Sequence, residues 1–284
     1  MRFLNPKTDF AFKKIFGSAE SHDILLSLLN AVLRLPDTHR IVEVEILDPY
    51  QAPKIIGVKD TYVDVKAKDA KNRVYIIEMQ VLNYAGMEKR ALYNACKAYV
   101  EQLGSGEDSR LLADVIAITF TDFVMFPERS AYLSAFKLRA DDGGLFNDDL
   151  QLVFAELPKF AVPEQQLQAP LDKWLYFLRN AGKVEEVPAV LAADPAIAHA
   201  FAIANRAGLS REELDTQEGR EHYNFVQRNF EATAEARGEV RGRAAASRAI
   251  ASGLLNVLDD ATIAAKTGLA VAEVAAIRAG PAHG

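Results

Sequence analysis

The sequence predicts an α/β protein: a mixed sheet flanked by helices, followed by a mostly helical carboxy-terminal region. Three features predict it. Up to Phe120 the hydrophobic period changes in the order helix, three strands, helix, strand. The last of those strands, Ala113 to Phe120, is nearly all apolar, as expected where both faces are covered. Beyond Pro170 helical patterns take over, which places a sheet-containing domain over 1–170 and a helical accessory or oligomerisation region over 171–284.

Residues 7 to 35 read as helical. Phe10, Phe12, Ile15 and Phe16 precede a break near Gly17, and Ile24, Leu25, Leu28, Leu29 and Val32 follow at helix spacing. Pro36 ends the pattern, because proline disfavours helical geometry in the residue before it. Ile41 to Leu47 alternates apolar and acidic residues and reads as a strand with one polar face. Val58 to Lys68 and Arg73 to Leu82 are two more strands, joined as a hairpin by the polar stretch Asp69 to Asn72. Tyr84 to Leu103 is helical, with Leu92, Cys96, Tyr99 and Leu103 on one side and Gly104 as the stop. Leu150 to Leu157 is a further short strand.

The helical region comprises Leu171 to Asn180, Val187 to Ala207, Arg211 to Asp215 and Glu218 onward. Its Arg/Glu/Ala-rich stretch contains Gly238 and Gly242, each weakening a helix by about 1 kcal/mol relative to alanine. Such a helix needs a partner, and self-association is expected. The last segment reads as two short helices around Gly268, similar to the start of a helix-turn-helix.

Composition excludes several classes. Half of the 284 residues are hydrophobic and 25% are charged, which suits a folded core and not a disordered chain. Lysine plus arginine number 33 against 39 acids, so a uniformly basic nucleic-acid coat is excluded while a local basic groove is not. Cys96 is the sole cysteine, which removes intrachain disulfides and cysteine-rich zinc sites, and the five histidines are scattered. The opening MRFLNPKTDFAFKK lacks the continuous apolar core of a signal peptide. Ile24 to Leu35 is interrupted by Ser27, Asn30 and Arg34 and falls short of the roughly 20 apolar residues of a bilayer span. A reduced, cytoplasmic protein without a membrane partner is expected.

The informative residues lie between Lys59 and Gln80. Glu78 and Gln80 share one face of their strand, and Met79 points the other way. With the turn centred on Lys71, Asp64 falls directly opposite Glu78. Like charges in that cross-strand position repel unless something cancels them. A divalent cation does so, since Mg²⁺ is typically held by one or two carboxylates plus waters and phosphates. The pairing depends on register, because a slip of one residue separates the two acids onto opposite faces.

Asp64, followed by Glu78-Met79-Gln80 at the end of the next strand, resembles the Asp…(Asp/Glu)-x-Lys signature of the PD-(D/E)XK nuclease superfamily. The opening NPKTDFAFKKIFG, the IIEMQ strand and the segment KRALYNACKAYVEQLGSGEDSRLLADVIAITFTDF narrow the resemblance to its recombination-promoting nuclease / putative transposase family, over residues 5 to 125. The RGEVRGRAAA and TGLAVAEV segments resemble tail features of the same family. The resemblance implies a restriction-endonuclease-like fold and Mg²⁺-dependent cleavage of DNA, with Mn²⁺ or another divalent ion as substitute. It implies Asp64 and Glu78 as metal ligands, aided by the Met79 backbone carbonyl, with Gln80 in the catalytic set where the superfamily usually has lysine. Glutamine can hydrogen-bond a water but supplies no charge, which leaves the general base unassigned.

Plainer readings stand beside these. A lone acid in a strand is usually a solvated face residue, and the inference rests on the combination of Asp64, Glu78 and Gln80. Lys59, Lys66 and Arg90 are the candidates for DNA contact, mainly to phosphates, though lysines are mostly solvated. Lys66 shares the face of Asp64 and is also a candidate for the missing lysine. The helix pairs Lys13-Lys14 and Lys89-Arg90 either bind phosphates or face solvent. Cys96 reads as core, and the GSGED loop at 104 to 108 lacks the strand-to-helix setting of a phosphate loop. Two functions compete: a metal-dependent DNA endonuclease, and a non-catalytic DNA-binding or protein-interaction module on a nuclease scaffold.

Overall fold

The computed structural model describes residues 2–51 and 61–280. The chain divides into two compact units, Met1–Asn224 and Phe225–Gly284. The first opens with α1 (Asp9–Phe16) and α2 (His22–Leu33). Thr8 caps α1 by accepting the Ala11 N–H at 3.3 Å, which satisfies one of the donors a helix start leaves open. Gly17 ends α1 hard against the sheet: a Cβ there would stand 3.0 Å from the Lys13 carbonyl oxygen and 3.2 Å from Val65 Cγ2.

The strands are β1 (Val44–Leu47), β2 (Tyr50–Gln51), β3 (Thr61–Tyr62), β4 (Val65–Asp69) and β5 (Val74–Gln80). After α3 (Met87–Val100) come β6 (Val115–Thr121), β7 (Leu133–Lys137) and β8 (Leu150–Glu156). Six of them form one sheet in the order β1-β4-β5-β6-β8-β7. β1, β4 and β5 are antiparallel neighbours, β5, β6 and β8 run parallel, and β7 adds an antiparallel edge. The mixed sheet expected from the sequence is present.

Strand alternation separates two cores. Tyr75, Ile77, Met79, Ile116, Ile118 and Phe120 face one side, where α1 and α2 cover them. Val74, Ile76, Val115 and Ala117 face the other, under Ala95 and Ala98 of α3. The strand expected over 58–68 is not one strand. Residues 58–60, Lys59 among them, lie outside the described residues; Thr61–Tyr62 pairs with Tyr50–Gln51 in a separate ladder, and β4 begins only at Val65. The chain bends at Asp64, so Val63 joins the α3-side core while Val65 joins the other. Strand β7 also lacked a sequence signal, because its short apolar pattern is broken by Ser134 and Lys137.

The helices that follow are α4 (Pro170–Asn180), α5 (Ala189–Ala192), α6 (Pro195–Ile203), α7 (Arg211–Leu254), α8 (Asp260–Thr267) and α9 (Val271–Ala279). The boundary expected at 170 does not coincide with the division after Asn224. Trp174 and Phe177 of α4 lie against Phe16 at ring-centroid distances of 5.7 and 6.4 Å, and Phe201 of α6 lies 4.8 Å from Phe177. These helices complete the core over α1 and α2. A change of hydrophobic period marks where strands stop, not where a core stops. The first three turns of α7 belong to this unit as well: Lys14 pairs with Glu213 at 2.6 Å, and Thr8 Oγ1 donates to the buried Gln217 Oε1 at 2.6 Å.

In the second unit Ala251, Ile263, Ala264 and Val274 form a small core between the end of α7, α8 and α9. Gly268 takes a left-handed φ of 73° and stops α8. Arg278 fastens α9 by donating to the Leu258 carbonyl at 2.9 Å and to Asp260 at 2.7 Å. Among the described residues no helix is long and apolar enough to cross a membrane.

Candidate active site

The hairpin register is fixed by its turn. Asn72 adopts a positive φ of 62°, which asparagine tolerates. The Asp69 carboxylate gathers the N–H groups of Lys71 and Arg73 and the hydroxyl of Tyr75 at 2.9 to 3.0 Å. This pairs Val65 with Ile77, Lys66 with Ile76 and Ala67 with Tyr75, the register read from the sequence. The paired register ends at Val65; Asp64 lies at the bend just beyond it, near enough for its charge to act on Glu78.

Glu78 is only 3% exposed. It faces α3, where Asn94 Nδ2 donates to its Oε1 at 3.0 Å and an Arg90 Nη2 lies 4.0 Å away. Asp64 Oδ2 accepts the Met79 N–H at 2.9 Å, and Lys13 Nζ of α1 lies 3.6 Å from its Oδ1. Burial, then the charge of Asp64, pushes the Glu78 carboxyl up to about 7, against a weaker pull from Arg90, Asn94 and Lys13. Burial likewise pushes Asp64 above the usual carboxylate range, opposed by the Met79 N–H and Lys13 and reinforced by Asp9. Glu78 is the acid made costlier to ionise by its neighbour's charge.

Gln80 follows Glu78 on the same face at the strand end, half-buried, and its carbonyl accepts the Asp122 N–H at 2.9 Å. Asp122 in turn pairs with Lys7 at 2.8 Å. Of the cations expected at the site, Arg90 is there, its Nη1 held by the Tyr84 hydroxyl at 2.7 Å. Lys66 is not oriented to the acids: its ammonium pairs with Glu101 at 3.1 Å and its side chain is only 14% exposed. Lys59 lies outside the described residues.

One site residue escaped the sequence reading, and another was left open by it. Asn94 is buried between Ala91 and Ala98 on the apolar stripe of α3, and a polar group at such a position needs a partner. Sequence spacing puts Leu92 and Cys96 on the inner side of α3, with Cys96 in the core. Both are exposed, and the buried stripe is the small-residue one that carries Asn94. For Lys13 the sequence left phosphate binding and solvent exposure both open. This lysine lies one turn before Gly17 on α1, but the contact that brings this helix end to β4 is tertiary and leaves no periodic trace.

The donor set suits one kind of ion. Among the described residues no group of three or more His, Cys, Asp and Glu side chains is placed to hold a metal, so a closed zinc site is unsupported. Two facing carboxylates that burial makes hard to ionise, beside an accessible strand end, fit a hard divalent cation that keeps waters and takes phosphate oxygens.

A mixed sheet with helices on both faces, carrying opposed acids at the end of a hairpin, defines a restriction-endonuclease-like protein of the PD-(D/E)XK class. Comparison with known proteins agrees. A family model described as PD-(D/E)XK nuclease family transposase matches residues 6–234, and the chain belongs to that family. No curated protein and no solved structure matches it.

Proposed function

We propose that this protein is a Mg²⁺-dependent DNA endonuclease, hydrolysing phosphodiester bonds as recombination and transposition require. The observation that carries the reading is the buried Glu78 with the half-buried Asp64 beside it, each shifted towards protonation, a state that a shared cation would relieve. Asp64 and Glu78 hold the ion. Met79 adds its carbonyl: in a strand a residue's N–H and C=O leave the same edge, and the Met79 N–H already points at Asp64. The ion, when bound, lowers the pKa of a water and neutralises phosphate charge. Gln80, the last residue of β5, would orient an attacking water by hydrogen bonding, with the water's proton passing to solvent. Arg90, half-exposed beside Glu78, holds a phosphate.

The nuclease unit works in the cytoplasm, where Cys96 stays reduced. The carboxy-terminal helices pair protomers: α7 presents Phe225, Val226 and Phe230 to solvent, and a second copy covers them.

Titrating Mg²⁺ against supercoiled plasmid tests the activity. Wild-type protein should nick only with divalent cation, and Glu78→Gln should not nick at all. The neutral Gln80 favours a second reading, a DNA-binding module without catalysis. It requires the wild type to shift plasmid mobility without nicking at every metal concentration.

A further inference from the structure

We propose that Lys13 is the cation that grips the reacting phosphate at the acid pair, an inference that rests on the nuclease reading above. Its ammonium lies 3.6 Å from Asp64 Oδ1, well beyond the 2.7 to 2.9 Å typical of a charge-assisted hydrogen bond. Its side chain is 45% exposed. The neighbouring lysines are held differently. Lys7 meets Asp122 at 2.8 Å, Lys14 meets Glu213 at 2.6 Å and Lys66 meets Glu101 at 3.1 Å. Lys13 is therefore the loosely held ammonium beside the acids, on a flexible four-carbon stem.

Charge arithmetic says where it goes. Without a cation, Asp64 attracts Lys13. With both carboxylates engaged by a divalent ion, their two negative charges are cancelled, and the attraction that held Lys13 goes with them. A phosphodiester entering at the strand end brings the negative charge that Lys13 has lost. Gln80 supplies no charge there, and Arg90 approaches from α3, on the other side of the pair. Lys13 and Arg90 thus flank the phosphate from two separate helices.

In the hydrolysis the attacking water forms a bond to phosphorus and gives up a proton to solvent. The bond from phosphorus to the leaving sugar oxygen breaks, and that oxygen takes up a proton. Lys13 stays protonated throughout, donating to a phosphate oxygen as negative charge builds on it. A donor that meets such developing charge, once the phosphate has drawn it into place, is worth about 100-fold in turnover.

Lys13→Met and Lys13→Arg separate this role from a structural one. Mg²⁺ affinity is read by calorimetry on the DNA-free full-length protein, and plasmid nicking at saturating Mg²⁺. The expected result for Lys13→Met is nicking about 100-fold slower, with Mg²⁺ bound as tightly as in wild type or a few-fold tighter, because a like charge has gone. Lys13→Arg should recover at least a tenth of the wild-type rate. Two results overturn the proposal: Lys13→Met nicking at the wild-type rate, or losing Mg²⁺ affinity in step with nicking. Wild-type protein that binds Mg²⁺ but never nicks defeats the nuclease reading itself, and the role of Lys13 with it.

Discussion

The Met79 N–H donates to the Asp64 carboxylate at 2.9 Å, where the hairpin register would have set the backbone of Val63. A side chain has replaced the next rung of the ladder. The chain bends there, Val63 turns to the opposite core, and the carboxylate is pinned at the strand edge beside Glu78. One bond thus ends the β4–β5 ladder and places the Asp64 carboxylate.

Asp64→Ala and Asp64→Asn should differ accordingly. Alanine leaves the Met79 N–H without its acceptor, at a cost of about 1–3 kcal/mol for a buried group. Asparagine keeps an acceptor oxygen and removes a charge that burial disfavours, so its change should be under about 1 kcal/mol. Urea denaturation of both variants checks this. Equal destabilisation would mean that the bond does not anchor the bend.

Glu78 makes stability depend on pH. Its carboxyl is pushed from 4.5 up to about 7, so between those values the folded protein retains a proton that the unfolded chain has lost. Stability is full below pH 4.5 and falls as pH rises through the folded value near 7, by on the order of 3 kcal/mol if Glu78 acts alone. Glu78→Gln mimics the protonated form. Without divalent cation it should melt above wild type at pH 8 and level with it at pH 4.5. Asn94 suits the exchange, since its Oδ1 meets no protein donor and the amide can turn to accept from glutamine. Parallel melting curves across pH would exclude Glu78 as the titrating group.

Much of the site was legible because a hairpin is local. The turn sets the register, strand alternation places Glu78 and Gln80 on one face, and both follow from neighbours in sequence. What escaped depends on distant contacts. The bend at Asp64 follows from a side-chain bond across the hairpin, and Lys13 arrives only because Gly17 lets α1 touch Val65. Lys66 shares the face expected of it, yet Glu101 of the helix end takes its charge. The helices after Pro170 were recognised as helices, but that Trp174 would meet Phe16 was invisible to periodicity.

Truncation should follow the core. A chain ending after residue 224 keeps Trp174, Phe177, Phe201 and the buried Gln217, and should unfold cooperatively. Ending after residue 170 removes the three aromatic residues, each worth about 1.5–3 kcal/mol of burial, and exposes Phe16 and the α2 face. Circular dichroism melts of the two fragments decide. A cooperative transition in the 1–170 fragment would show that the helices are accessory after all.

DNA affinity without metal should rise when the acids are neutralised. On the proposed reading Asp64 and Glu78 lie where a phosphate approaches, and the whole chain carries a net charge of −6. In EDTA the pair should then repel DNA, with Lys13 and Arg90 at 3.6 and 4.0 Å offsetting it only in part. The double variant Asp64→Asn, Glu78→Gln removes that repulsion and frees both cations, so it should bind a mixed-sequence duplex roughly tenfold tighter than wild type at low salt. Salt should narrow the gap, because screening weakens the repulsion that wild type suffers. Affinity itself should fall by roughly 0.9 log units per phosphate contact for each decade of salt. Sequence should matter little: α9 offers Val271, Ala272 and Glu273 at its start, and Arg278 is occupied by Asp260 and backbone carbonyls. Fluorescence anisotropy across a salt series, with EDTA present, measures all three. Equal affinities for wild type and the double variant would mean that the phosphate path does not cross the acid pair.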